Sequence, residues 1–218
     1  MYLTSDRQEV TIVNKKAEIM CAALRMFADK GFEPVSVRDI AGAVNIKESS
    51  VYYHFKSKQD IMDTLLAEFE QRSAQMMAPL EAAVNAVIKV DPRTFYFIAA
   101  CYLQDYLLDD FVRTFLRVLV IEQCHDERMR SVYHKWLYRL PMEYYSEIFG
   151  GMKRAGFLKR CDLEYMTNSF YAPVIIYFQK HLMYSEVGTE QLESFKEAVH
   201  QHFIFFLDEF STIRRIPV

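Results

Sequence analysis

An all-α fold is predicted for this 218-residue chain, and three observations predict it. Glycine and proline are scarce, six of each, which is too few for the turns of a hairpin-rich protein. The long segments between them repeat apolar residues every three or four positions, the spacing of a helix face. Ser-x-x-Asp patterns, which resemble helix-start boxes, stand just ahead of two such segments.

The elements follow in order. Val13, Ala17, Met20, Leu24 and Phe27 step by four and three and predict a first helix that ends at Asp29-Lys30-Gly31-Phe32. Gly31 suits a left-handed position after the helix, with Phe32 packing back behind it. Ser36-Val37-Arg38-Asp39 opens a short second helix with apolar residues Val37, Ile40, Ala41 and Val44. Asn45 suits a left-handed turn residue. A third short helix is expected from Lys47 to Phe55, and Ser57-Lys58-Gln59-Asp60 starts a long fourth one. This helix, tight turn, helix pair cannot bury its apolar faces alone. The first helix and Ile61, Leu65 and Leu66 should therefore close a small core around Val37, Ile40, Val51 and Phe55.

Beyond residue 60 the helical period continues, richer in Met, Tyr and Phe. Pro79 and Asp91-Pro92 mark breaks or helix starts. Helices are expected at about 92–108, 110–123, 126–155, 162–184 and 190–210, with kinks at Pro141 and Pro173. No internal repeat of fixed period is visible.

Composition narrows the function classes. At 51% hydrophobic residues the chain is globular. It has no run of roughly 18 uncharged apolar residues, so no membrane helix is expected. MYLTSDRQEV lacks the basic and apolar regions of a signal peptide, and a cytoplasmic protein is the default. Cys21, Cys101, Cys124 and Cys161 lie far apart without C-x-x-C pairing, which argues against a disulfide framework and a zinc site. Neither a metal nor a cofactor is expected. The net charge of −3 excludes a generally basic nucleic-acid binder but leaves a local one open. Residues 1–60 hold nine Lys/Arg against eight Asp/Glu, whereas the remainder holds 17 against 21.

The stretch SSVYYHFKSK (49–58) carries the most chemistry. On a helix Val51 and Phe55 share one stripe, while Ser49, Ser50 and Tyr53 point the other way. A helix-turn-helix fills the major groove with its second helix, and hydroxyls, lysines and helix N-termini hold phosphates. Lys47, Ser49, Ser50, Tyr52, Tyr53 and His54 have donors suited to that work, and Lys58 sits in the first turn of the next helix, where amides also attract a phosphate. The plain alternative is a solvated helical turn with incidental aromatics, although clustered exposed rings usually mark an interaction site.

At Ser36-Val37-Arg38-Asp39-Ile40-Ala41, Val44-Asn45-Ile46 and Val51-Tyr52-Tyr53-His54-Phe55-Lys56-Ser57-Lys58 the sequence resembles the TetR family of bacterial transcriptional repressors, over residues 10–70. The resemblance implies an N-terminal three-helix helix-turn-helix DNA-binding domain, residues 1–58, and a helical ligand-binding and dimerisation domain, residues 59–218. It gives Tyr52, Tyr53 and His54 phosphate or base contacts and Lys58 a phosphate contact. Ser36, Val37 and Arg38 mark the start of the second helix near the DNA backbone. Three departures stand out. Asn45 replaces the usual glycine, Lys47 stands where a Ser/Thr cap is common, and Glu48 puts a negative charge on the recognition element. Glu48 either accepts from a cytosine amino group or faces away.

Family members use the C-terminal helices to enclose a small-molecule effector and to pair two subunits. Two recognition helices must meet major grooves about 34 Å apart, so a homodimer on a palindromic operator is expected. SFYAPVIIYF (169–178) and FIFFLDEF (203–210) carry more apolar surface than one face absorbs, which assigns the pairing to the last two helices. The effector pocket is expected among Tyr102, Tyr106, Phe115, Tyr133, Trp136, Phe170 and Tyr177, each of which has plain core as its other role. No nucleophile with its base, paired carboxylates or Gly-rich loop points to an enzyme. The competing class is a helical interaction module or ligand carrier whose helix-turn-helix does not regulate transcription.

Overall fold

The computed structural model describes residues 5–85 and 90–213, with side chains from Lys15 onward. Among these residues the chain forms ten α-helices. They are α1 (Ser5–Lys30), α2 (Val37–Ala43), α3 (Glu48–His54), α4 (Lys58–Asn85), α5 (Pro92–Tyr102), α6 (Asp110–Glu122), α7 (Glu127–His134), α8 (Leu140–Arg154), α9 (Leu163–Leu182) and α10 (Thr189–Phe210). Two π-helical turns, Leu103–Leu107 and Lys135–Arg139, extend α5 and join α7 to α8. The helices divide into two compact units, one of residues 1–71 and 114–130, the other of 72–113 and 131–218. No helix among the described residues is long and apolar enough to cross a membrane.

In the first unit the expected core forms. Val37, Ile40, Val51, Phe55, Ile61, Leu65 and Leu66 are all buried, and each such side chain contributes about 1.5–3 kcal/mol relative to exposure. The stripe on α1 holds at Leu24 and Phe27, both buried as expected, and differs toward the start of the helix. Ile19, Ala23, Leu24, Phe27 and Ala28 are buried, whereas Ala17 is exposed and Met20 half-buried; the Val13 side chain lies outside the described residues. Both stripes obey the helical period, and α1 is turned so that the 19–23–27 row faces inward. Gly31 ends the helix at φ 81, its N–H donating to the Phe27 carbonyl at 2.9 Å. The Phe32 ring returns to within 5.3 Å of the Phe27 ring.

In the second unit α8, α9 and α10 pack side by side around an aromatic cluster. The rings of Phe95, Tyr145, Phe149 and Phe206 all lie within 5.4 Å of Phe170, centroid to centroid. The end of α10 is fastened to the α8–α9 loop by an antiparallel bridge between Leu158 and Ser211. The helix expected over 126–155 is divided, and the reason lies at Pro141. A proline has no N–H to offer the carbonyl four residues back, and a π-helical turn precedes it. The Leu137 carbonyl accepts the Tyr171 hydroxyl at 2.8 Å instead. Pro173, by contrast, lies inside an uninterrupted α9.

Candidate nucleic-acid interface and ligand pocket

The helix-turn-helix is built from three local decisions. Ser36 has extended backbone and caps α2: its hydroxyl accepts from the Asp39 N–H at 3.1 Å, and Asp39 in return accepts from the Ser36 N–H at 2.9 Å. The Ser36 hydroxyl and N–H together hold the Asp39 carboxyl below its ordinary range. Asn45 then takes φ 53, the left-handed turn that an asparagine tolerates, and the Ile46 N–H reaches the Ala41 carbonyl at 3.0 Å. Lys47 begins α3 without a side-chain cap bond, as expected where a hydroxyl is lacking.

On α3 the two faces separate as the spacing predicts. Val51 and Phe55 are 1% and 2% exposed, whereas Tyr52 and Tyr53 are 51% and 72% exposed. The His54 ring meets Tyr53 edge-on at 5.1 Å, so these two rings stand side by side on this face. Lys47, Glu48 and Ser49 are exposed and Ser50 and His54 half-buried along it. Exposed aromatics clustered in this way usually mark an interaction surface.

The remaining interface residues stand differently. Arg38 is exposed on α2, but Val37 is buried, so only its backbone can reach a partner. The Ser36 hydroxyl is already engaged by Asp39. Lys58 donates its ammonium to the carbonyls of Phe32 at 2.8 Å and Glu33 at 3.2 Å and lies over the Phe32 ring. An ammonium has three donors, and two of them hold the α1–α2 loop.

The residues that fasten this unit were not singled out from the sequence. Arg117 on α6 donates to the Ala28 carbonyl at 3.0 Å and to Asp29 at 2.7 Å, which satisfies part of the open C-terminal end of α1. The carboxylate of Glu122, itself buried, accepts the Phe32 N–H at 2.8 Å. Periodicity marks neither residue, since their partners lie about ninety positions away.

In the second unit the expected pocket residues are mostly buried against other side chains. Tyr102 stacks on Tyr106 at 5.3 Å, and its hydroxyl meets that of Tyr171 at 3.4 Å. Burial pushes the hydroxyls of Tyr102, Tyr106, Tyr145 and Tyr171 above the usual phenol range, so they act as neutral groups. Tyr133 pairs its hydroxyl with that of Tyr138 at 3.3 Å, Trp136 is buried beneath the Lys135 ammonium, and Tyr177 lies beside His202 at 6.4 Å. Phe115 departs from the group altogether. It belongs to the first unit, where it stacks on Phe69 at 4.8 Å. Asp109 and Asp110 serve the start of α6, accepting from the Val112 N–H at 2.8 Å and pairing with Arg113 respectively. Among the described residues no group of three or more His, Cys, Asp or Glu side chains is arranged to hold a metal.

Comparison with known proteins adds to this geometry. Residues 19–65 match the model of the bacterial regulatory proteins, tetR family. The HTH-type transcriptional repressor KstR2 of Mycolicibacterium smegmatis is 39% identical over 56 residues, 26% of this chain and 27% of that protein. The biofilm operon icaADBC negative regulator IcaR of Staphylococcus aureus is 44% identical over 48 residues, 22% of this chain and 26% of that protein. The chain thus aligns with about a quarter of the length of these curated relatives. Over nearly the whole chain the fold is shared with SmeT, the repressor of the Stenotrophomonas maltophilia multidrug efflux pump SmeDEF. The TM-score is 0.63 at 16% identity, covering 93% of each chain. For the SmeT–triclosan complex it is 0.65 at 13% identity, covering 93% of this chain and 98% of that one.

Proposed function

We propose that this chain, which belongs to the TetR family of bacterial transcriptional regulators, is a homodimeric repressor that binds a palindromic operator and is released by a small-molecule effector. The observation that carries the reading is the split of α3 into a buried Val51–Phe55 face and an exposed Tyr52–Tyr53 face, within the segment that matches the family. DNA binding is assigned to residues 1–58, with Tyr53, Tyr52, His54, Ser49 and Ser50 entering the major groove. Lys47, Arg38 and the amides at the starts of α2 and α4 would hold phosphates. Lys58 would contribute its third donor while holding the loop.

Residues 59–218 are assigned to effector binding and dimerisation. On α9 and α10, Ile176 is 60% and Phe205 68% exposed, apolar surface of the kind that a second subunit covers. Repression is supported by the relatives KstR2 and IcaR, whose names describe a repressor and a negative regulator. A small-molecule effector is supported by the shared fold of the triclosan complex. Release requires an effector that binds the conformation unable to span two grooves more tightly than the one that can.

The test is selection of duplexes from a random-sequence library by the full-length protein, followed by titration of the enriched duplex at several salt concentrations. The expected result is a palindrome with half-sites about one helical turn apart, or a multiple of it, and affinity that falls steeply with salt. Absence of enrichment, or binding indifferent to salt, would overturn the reading.

A further inference from the structure

Tyr102 and Tyr106 stack on each other and leave no room between them for an effector. A separate pocket of about 150 Å³ lies in the second unit between α5, the π-helical turn after it, and α10. Its floor is apolar: Leu103, Leu108, Phe195, Val199 and Phe203 line it. Its polar groups are Tyr96, Gln104, Lys196 and His200. No carboxylate lines the pocket, and Glu193, which accepts from the Lys196 ammonium at 2.8 Å, stands outside the lining.

The Tyr96 hydroxyl and His200 Nδ1 are 2.7 Å apart. With a neutral imidazole, this pair can be bonded in two ways. If the phenol donates to Nδ1, the Nε2–H remains as a donor; if Nδ1–H donates to the phenol oxygen, the hydroxyl hydrogen remains. Either arrangement leaves one donor hydrogen in the pair, and the Gln104 amide and Lys196 ammonium add more. Size and chemistry then agree on the occupant. A cavity of about 150 Å³ holds a ligand the size of benzene, and a donor-rich, carboxylate-free lining favours an oxygen acceptor with negative charge.

We propose that this pocket is the effector site and takes a single-ring or short-chain carboxylate, its apolar part among Phe195, Val199 and Phe203 and its carboxylate toward Tyr96, His200 and Lys196. The inference rests on the regulatory reading only for the word effector; the binding site itself is testable without DNA.

The experiment uses the full chain and ligand-observed fluorine NMR with three probes of one size: 4-fluorobenzoate, fluorobenzene and 4-fluorobenzylammonium. 4-Fluorobenzoate is expected to bind most tightly. Ala100→Phe, which fills the pocket from α5, is expected to abolish its binding with the far-UV circular dichroism unchanged. Tyr96→Phe, which keeps the ring and removes the hydroxyl that either donates to the ligand or fixes the Nε2–H tautomer of His200, is expected to weaken it about tenfold. The proposal is overturned if the ammonium probe binds as well as the carboxylate, or if Tyr96→Phe leaves 4-fluorobenzoate affinity unchanged. Failure here leaves operator selection untouched, whereas failure of that selection removes the regulatory reading and leaves the site standing.

Discussion

The junction between α1 and α2 makes a quantitative prediction through Gly31. This residue sits at φ 81, and a Cβ there would meet Glu122 Oε1 at 3.2 Å and Ile121 Cγ2 at 3.3 Å. Gly156 sits at almost the same angle, φ 82, but a Cβ there meets nothing within 4 Å. The two glycines therefore share the backbone cost of an alanine and differ in the crowding. The backbone cost of a left-handed alanine is about 1–2 kcal/mol, partly offset by the reduced entropy of the unfolded chain, about 0.4–1 kcal/mol. Gly156→Ala should thus lose about 0–1.6 kcal/mol. Gly31→Ala must in addition push back the carboxylate that holds the Phe32 N–H, a crowding cost of about 1–3 kcal/mol. Its total is about 1–4.6 kcal/mol.

The measurement is urea unfolding followed by far-UV circular dichroism at one fixed protein concentration, with each variant scored on the transition that it moves. Equal losses for the two variants would refute the reasoning, because the contact with α6 would then add nothing. A stabilised Gly31→Ala would refute the left-handed conformation as well.

Three further outcomes are expected. Tyr53→Ala should weaken binding to the selected operator by at least tenfold with urea stability within about 0.5 kcal/mol of the parent, since an exposed side chain is removed; unchanged affinity in a gel-shift titration would remove Tyr53 from the interface. Lys47→Ala should lower the log-log salt slope of DNA binding by about one, whereas Lys58→Ala should also lower stability because it frees the carbonyls of Phe32 and Glu33; an unaltered slope for Lys47→Ala excludes its phosphate contact. Burial holds the His202 imidazole below its usual value of 6.5, despite the bond between Nε2 and the Phe170 carbonyl at 2.8 Å. The unfolded chain then binds the proton first, so His202 lowers stability as pH falls through 6.5 toward its folded value. His202→Gln should give a shallower loss as pH falls below 6.5, and an identical profile would show that another group sets it.

How far the sequence could be read depended on whether a feature was decided locally. Gly31, Asn45 and the Ser36–Asp39 box are each fixed by a few neighbouring residues, and all three stand where their chemistry places them. Val51 and Phe55 are four apart and fall on one buried face for the same reason. Features decided across the chain were not legible. At the start of α1 the row that faces inward depends on the helices packed against it, and Ile19 and Ala23 are buried there instead of Ala17 and Met20. The Lys58 ammonium was free in the sequence and is engaged in the fold, because a loop twenty-six residues earlier offers it carbonyls.

The aromatic residues show why composition could not locate a pocket. Tyr102 and Tyr96 lie on the same helix and are chemically alike, yet Tyr102 is 1% exposed in a stack with Tyr106 while Tyr96 lines an open cavity with His200. They are six residues apart, about 240° around the helix axis at 100° per residue, so α5 turns one to the interior cluster and the other toward α10. The partner that distinguishes them is not on α5 at all: Tyr171 from α9 meets the first, and His200 from α10 meets the second. Tyr102 is core because Tyr106 stacks on its face at 5.3 Å, whereas Tyr96 is a wall because the rings of His200 and Phe203 meet it only edge-on, at 6.0 and 6.1 Å. That difference is written in residues about seventy to one hundred positions away, which is why the exposed strip on α3 could be read before the fold was known and the lining of this cavity could not.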